Sequence, residues 1–105
     1  MKFGLSEITI QEIMAILARS PHVEKAILYG SRVLGTHKNG SDVDLALFGE
    51  TLKQHDLLTL IDAFEESDTP YKIDLCLYSK IENHNLKDHI KRVGIVFYQA
   101  SNEQQ

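Results

Sequence analysis

At 105 residues, with 43% hydrophobic and 25% charged side chains, the chain has the size and makeup of one globular domain, residues 1–105. A formal net charge of −4 argues against extensive binding of nucleic acid, and a single cysteine, Cys76, leaves no internal disulfide and no cysteine-built zinc site. No apolar run approaches a membrane span, and MKFGLSEITI lacks the basic start, apolar middle and cleavage site of a signal peptide, so the cytoplasm is the expected compartment.

In chain order, Thr9-Ile10-Gln11-Glu12 reads as a capping box opening a helix. Ile10, Ile13, Met14 and Leu17 follow as one apolar stripe, and Ser20-Pro21 ends it. Val23 to Tyr29 is rich in β-formers and predicts a first strand. Ser31 to Leu34 is expected as a short helix behind a Gly30-Ser31 turn, followed by a polar loop, GTHKNG.

Asp42 to Phe48 predicts a second strand in which Val43, Leu45 and Leu47 face a core and Asp42, Asp44 and Ala46 face away. Leu57, Leu58, Leu60, Ile61 and Phe64 suit an amphipathic helix over about 53–66. Tyr71 to Tyr78 predicts a third strand, with Asp74 and Cys76 opposite Ile73, Leu75 and Leu77. Asn85 could cap a last helix carrying Leu86, Ile90 and Val93, with Gly94 as its stop. Ile95 to Tyr98 predicts the final strand, and a polar tail follows over about 100–105. The connection between the first two strands is too short for a full βαβ crossover, so they are expected to be antiparallel. The predicted fold class is α/β (α+β in stricter usage): a mixed sheet of about four strands, helices mainly on one face, acids on the less covered face.

The chemistry concentrates in Gly30 to Leu45, GSRVLGTHKNGSDVDL. On extended backbone Asp42 and Asp44 project to the same side, where their like charges repel unless a cation sits between them. Hard oxygen ligands suit Mg²⁺, which keeps waters and takes phosphate oxygens as further ligands. Gly30 lets the backbone turn sharply, and Ser31 offers a hydroxyl and N–H groups to phosphate. Arg32 or Lys38 could add positive charge; Arg32 could equally pair with an acid. Asp74 supplies a third carboxylate if the second and third strands pair. Three acids beside a phosphate cradle are the elements of two-metal phosphoryl or nucleotidyl transfer. Alone, DVD would read as a turn or strand edge. Cys76 reads as an inert thiol, Tyr29 as strand packing, His37 as a solvated loop residue, and His84 and His89 as surface.

These residues resemble a known family. Gly30-Ser31, ten residues, Asp42-Val43-Asp44 and then Asp74 match the signature of the DNA polymerase β-like nucleotidyltransferases, in the form seen in the minimal nucleotidyltransferases of bacteria and archaea. The resemblance runs from about Val23 to Leu77 without a gap at the motif. It implies the polymerase β-like fold, with Gly30, Ser31 and Arg32 around a triphosphate, Asp42, Asp44 and Asp74 as catalytic and metal-binding carboxylates, and two Mg²⁺ ions. It also implies ATP as nucleotide donor. Such proteins resemble the antitoxin of a pair whose toxin is a small helical HEPN RNase, onto which AMP is transferred. The implied partner is therefore a HEPN-type protein, with oligomerisation left open. Two alternatives belong to other classes: a partner-binding antitoxin that holds nucleotide weakly or not at all, and a small-molecule (antibiotic) nucleotidyltransferase.

Overall fold

The computed structural model describes residues 2–36 and 40–100. Its elements run α1 (Glu7–Leu17), β1 (Lys25–Tyr29), α2 (Ser31–Leu34), β2 (Val43–Phe48), α3 (Gln54–Glu66), β3 (Ile73–Leu77), a single 3₁₀ turn (Tyr78–Lys80), α4 (His84–Val93) and β4 (Ile95–Gln99). The four strands form one mixed sheet in the order β3-β2-β1-β4. β1 is antiparallel to both β2 and β4, and β2 is parallel to β3. The parallel pair is possible because α3 supplies the long crossover that such pairing requires. The short β1–β2 connection gives the antiparallel pair expected from its length.

One face of the sheet carries the main core. Ala26 and Leu28 of β1, Val43, Leu45 and Leu47 of β2, and Leu75 and Leu77 of β3 pack against Ile13, Ile16 and Leu17 of α1 and Leu57, Leu60 and Phe64 of α3. Strict alternation then sends Asp44, Ala46, Asp74 and Cys76 to the opposite face. There α4 lays Ile90 against Ile27 and Ala46, with Leu86, Phe48 and Tyr78 around them. Gly94 follows α4 directly, and a Cβ at that position would collide with Ile90 O and the Ile27 side chain. Glycine is thus required where α4 turns down onto β1. α4 covers this second face as far as Tyr29, and α1 and α3 remain the main helical layer.

Two helix starts differ from the sequence reading. α1 is capped by Ser6, whose Oγ accepts from Thr9 N at 3.2 Å and donates to Thr9 Oγ1 at 3.0 Å. Thr9 is buried inside the first turn, so it serves Ser6 and does not open the helix. Fully buried Leu5, just ahead of the cap, fixes the earlier entry. α4 is capped by Asn83, whose Oδ1 accepts from Leu86 N at 3.1 Å, and Asn85 lies within the helix. In α3, Asp56 Oδ2 accepts from Lys53 N at 2.9 Å and meets His22 Nδ1 at 3.1 Å, tying the helix start to the α1–β1 turn. No helix among the described residues is long and apolar enough to cross a membrane.

Leu28 is fully buried between the two helices and the sheet. Leu28→Ala should destabilise the protein by about 2–5 kcal/mol, through lost burial and the cavity left behind. Asn83→Ala should cost about 1 kcal/mol, the usual loss for a helix cap. Urea unfolding of the two variants should rank them in that order.

Candidate active site

The site is built where three strands present one row of side chains. Tyr29 of β1 is opposite Asp44 of β2, and Asp44 is opposite Asp74 of β3. Asp44 therefore sits at the centre of the row, half-buried, while Asp74 is exposed at the edge strand. Asp42 is exposed one residue before β2, on chain that is already extended because Val43 N donates to Lys72 O at 2.9 Å. The structure thus brings all three sequence-predicted carboxylates to the same end of the same face.

The crowding has an electrostatic consequence. Burial, then the charge of Asp74, then that of Asp42, push the Asp44 carboxyl above the ordinary value of 3.8, and Arg32 opposes them. Among the described residues none of the three acids is held in an ion pair. Nor is there, among those residues, a group of three His, Cys, Asp or Glu side chains disposed to enclose a metal ion. What is present is an open, oxygen-only set with excess negative charge. That donor chemistry fits a hard cation such as Mg²⁺, which completes its shell with waters and phosphate oxygens.

Gly30 closes the row from above. Its φ of 86° and ψ of −153° lie in a region essentially reserved for glycine, and a Cβ there would come within 2.6 Å of Asp44 Oδ2. Both constraints point the same way: the backbone must pass directly over the Asp44 carboxylate. Gly30 O accepts from Val33 N and Leu34 N, which starts α2 at Ser31. The first-turn N–H groups of Ser31 and Arg32 therefore have no carbonyl one turn back. The far end of this one-turn helix is closed by Ser31 O, which accepts from Thr36 N at 3.0 Å.

Arg32 turns into the protein interior. It is only 4% exposed. Its Nη1 donates to Phe3 O at 2.7 Å, its Nη2 to Ser41 O at 2.6 Å and its Nε to Asp42 O at 3.3 Å. The guanidinium also stacks 4.7 Å from the centre of the Tyr71 ring. A side chain so buried and so committed to carbonyls is a latch that fixes the backbone entering β2. Its positive charge also reaches Asp44 and lowers the pKa of that carboxyl. Lys38, considered for added positive charge, and His37, read as a solvated loop residue, lie outside the described residues.

Three further residues belong to this region. The Tyr29 hydroxyl lies 3.6 Å from Cys76 Sγ, and the edge of its ring meets His89 of α4, with centroids 6.2 Å apart and planes at 80°. His89 is therefore half-buried at the acid end of the sheet, where the sequence suggested a surface residue; its position three residues after Leu86, beside the apolar stripe of α4, was the available signal. Burial, the Cys76 contact and the charges of Asp44 and Asp74 all hold the Tyr29 phenol well above its ordinary value. Burial likewise pushes the Cys76 thiol up, aided by Asp74 and Asp44 and opposed by the hydrogen bond from Tyr29. Both groups stay protonated at neutral pH, which suits the inert thiol expected of Cys76.

The family model for the polymerase β nucleotidyltransferases matches residues 11–103. The chain belongs to this family. Over 71 residues it is 37% identical to a Haemophilus influenzae protein named "Probable protein adenylyltransferase MntA", covering 65% of this chain and 60% of the relative. The chain thus spans less than two thirds of that relative's length. A toxin–antitoxin crystal structure with AMP-PNP superposes with a TM-score of 0.67 at 22% identity, over 91% of this chain and 75% of the other. A crystal structure of the toxin–antitoxin MntA–HepT gives 0.66 at 18% identity, over 90% and 74%. These likenesses establish the polymerase β-like fold, and with it the fold class read from the sequence.

Two outcomes test this geometry. Gly30→Ala should cost about 1–3 kcal/mol in urea unfolding from backbone strain alone, before the contact with Asp44 is counted. For Asp44 the sign follows from its raised pKa: the folded state binds the proton more tightly than the unfolded chain, so ionising Asp44 lowers stability as pH rises above about 3.8. In metal-free buffer, Asp44→Asn should therefore raise the thermal midpoint at pH 7. The gain should vanish below the unfolded-state value; a constant gain across both pH values would contradict the crowding.

Proposed function

We propose that the chain is a Mg²⁺-dependent nucleotidyltransferase that moves AMP from ATP to a hydroxyl on a partner protein. In this reading the partner is a HEPN-type toxin and the chain is its antitoxin, acting in the cytoplasm. One observation carries the chemical part: within a member of this family, the backbone of Gly30 passes over Asp44, and Asp44 stands opposite Asp74. The partner assignment is supported by the named relative and by the fold shared with MntA–HepT.

Asp42, Asp44 and Asp74 would hold the ions, and the Gly30-Ser31 turn would take the triphosphate. When bound, Mg²⁺ supplies neutralisation of the crowded carboxylates and polarisation of phosphate oxygens. The residues of the chain do the rest. Ser31, at the open end of α2, offers N–H and hydroxyl donors to phosphate oxygens. Gly30, lacking a side chain, keeps that phosphate close to Asp44. The acceptor oxygen attacks the α-phosphorus, the bond to the bridging oxygen breaks and pyrophosphate leaves. Asp74, exposed at the edge strand, would take the proton of the incoming hydroxyl.

A second reading has one observation in its favour. Because no three-residue metal cluster is preassembled among the described residues, the chain could neutralise its partner by binding alone. Labelled ATP, Mg²⁺ and the partner separate the two. Label should appear on the partner, disappear with Asp42→Ala/Asp44→Ala, and fall by about 10²–10⁴ with Asp74→Asn if that group is the general base. Absence of transfer, together with full neutralisation by the double variant, would establish the binding module instead.

A further inference from the structure

The hydroxyl of Tyr29 reaches from β1 to Cys76 on β3, so its ring must cross the intervening strand β2. The register says where. Tyr29 is opposite Asp44, whereas Cys76 is opposite Ala46, so the ring runs diagonally between the side chains of Asp44 and Ala46. Ala46 is fully buried beneath this crossing and is small enough to permit it. The Asp44 carboxylate leans the other way, toward Gly30, since Oδ2 is the atom a Gly30 Cβ would strike. His89 of α4 meets the ring, and Tyr29 packs against the cluster of Ile27, Ala46 and Ile90.

We propose that Tyr29 is a positioning residue for the acid row: its ring, pinned at Cys76 and backed by His89, blocks the space into which Asp44 would fold back toward Ala46. Asp44 is thereby kept upright beneath Gly30 and level with Asp74, where its carboxylate would be available to help hold a cation. The inference deepens the metal-dependent reading of this site and rests on it. Tyr29 itself touches neither substrate nor phosphate in this account. The ring does the blocking, and the hydroxyl serves only to pin it.

The test uses the 105-residue chain and three variants, Tyr29→Leu, Tyr29→Phe and Cys76→Ala. Mn²⁺ binding is followed by electron paramagnetic resonance, with no nucleotide and no partner. Folding is checked by urea unfolding, and nucleotide transfer is followed as a function of Mg²⁺ and ATP. Tyr29→Leu should weaken Mn²⁺ binding and lower kcat by about tenfold or more, the range seen when a group that orients metal ligands is lost. KM for ATP should change less than kcat, because the triphosphate donors are untouched. Tyr29→Phe should recover most of the loss, and Cys76→Ala should fall between wild type and Tyr29→Leu.

Equal Mn²⁺ binding by wild type and a folded Tyr29→Leu variant overturns the proposal, as does failure of the wild type to bind Mn²⁺ at all. A Tyr29→Phe variant as impaired as Tyr29→Leu also overturns it, since the hydroxyl rather than the ring would then matter. If wild type transfers no nucleotide but Tyr29→Leu still weakens Mn²⁺ binding, the enzymatic reading fails and the positioning role stands.

Discussion

Asp44 is the point on which this structure turns. It occupies the central strand of the acid-bearing face, with Tyr29 on one side, Asp74 on the other and the Gly30 backbone above it. Its surroundings make the ionised form harder to hold: burial removes water, and Asp74 and Asp42 add like charge, with Arg32 opposing them. A neutral residue here would avoid the cost of ionising Asp44, and a cation placed beside the carboxylate would offset it.

Much of the surrounding architecture can be understood as holding that carboxylate in place. The antiparallel β1–β2 pair brings the Gly30 turn back over β2, and the α3 crossover brings β3 alongside in parallel. Arg32, buried and donating to carbonyls of Phe3, Ser41 and Asp42, clamps the entry to β2 to the N-terminal segment. Its positive charge still reaches Asp44 and partly offsets the repulsion. A buried guanidinium satisfied by three carbonyls is costly to truncate, since removal would leave those acceptors unpaired. α4, seated through Gly94 on Ile27, brings His89 against Tyr29 and completes the wall.

The order of elements and the two faces of the sheet were legible because alternation in VDLALF and IDLCL has only one sensible burial. The antiparallel β1–β2 pair was legible from loop length alone. Helix starts were less so: Ser6 and Thr9 are both acceptable caps locally, and only the burial of Leu5 and Thr9 against the core selects Ser6. At α4, Asn83 and Asn85 present the same ambiguity, resolved by where Leu86 must point. Arg32 was ambiguous for a different reason. A basic residue next to a phosphate-type turn can face outward or inward, and its inward course depends on Phe3 and Tyr71, which are far away in sequence.

The sequence by itself determined the membership of the acid set. Gly30-Ser31, Asp42 and Asp44 are tied together by spacing and strand period, which are local properties of the chain, and Asp74 joins them on condition that its strand pairs with β2. Only the tertiary structure decided how the set is arranged: that Asp44 and Asp74 are cross-strand partners, that Gly30 lies directly over Asp44, and that Tyr29, Cys76 and His89 form its floor. Those relations arise from strand register and from the packing of α4, and they join residues up to 60 positions apart, from Tyr29 to His89. No local propensity encodes such contacts, because they exist only once the sheet and its helices have closed around a common core.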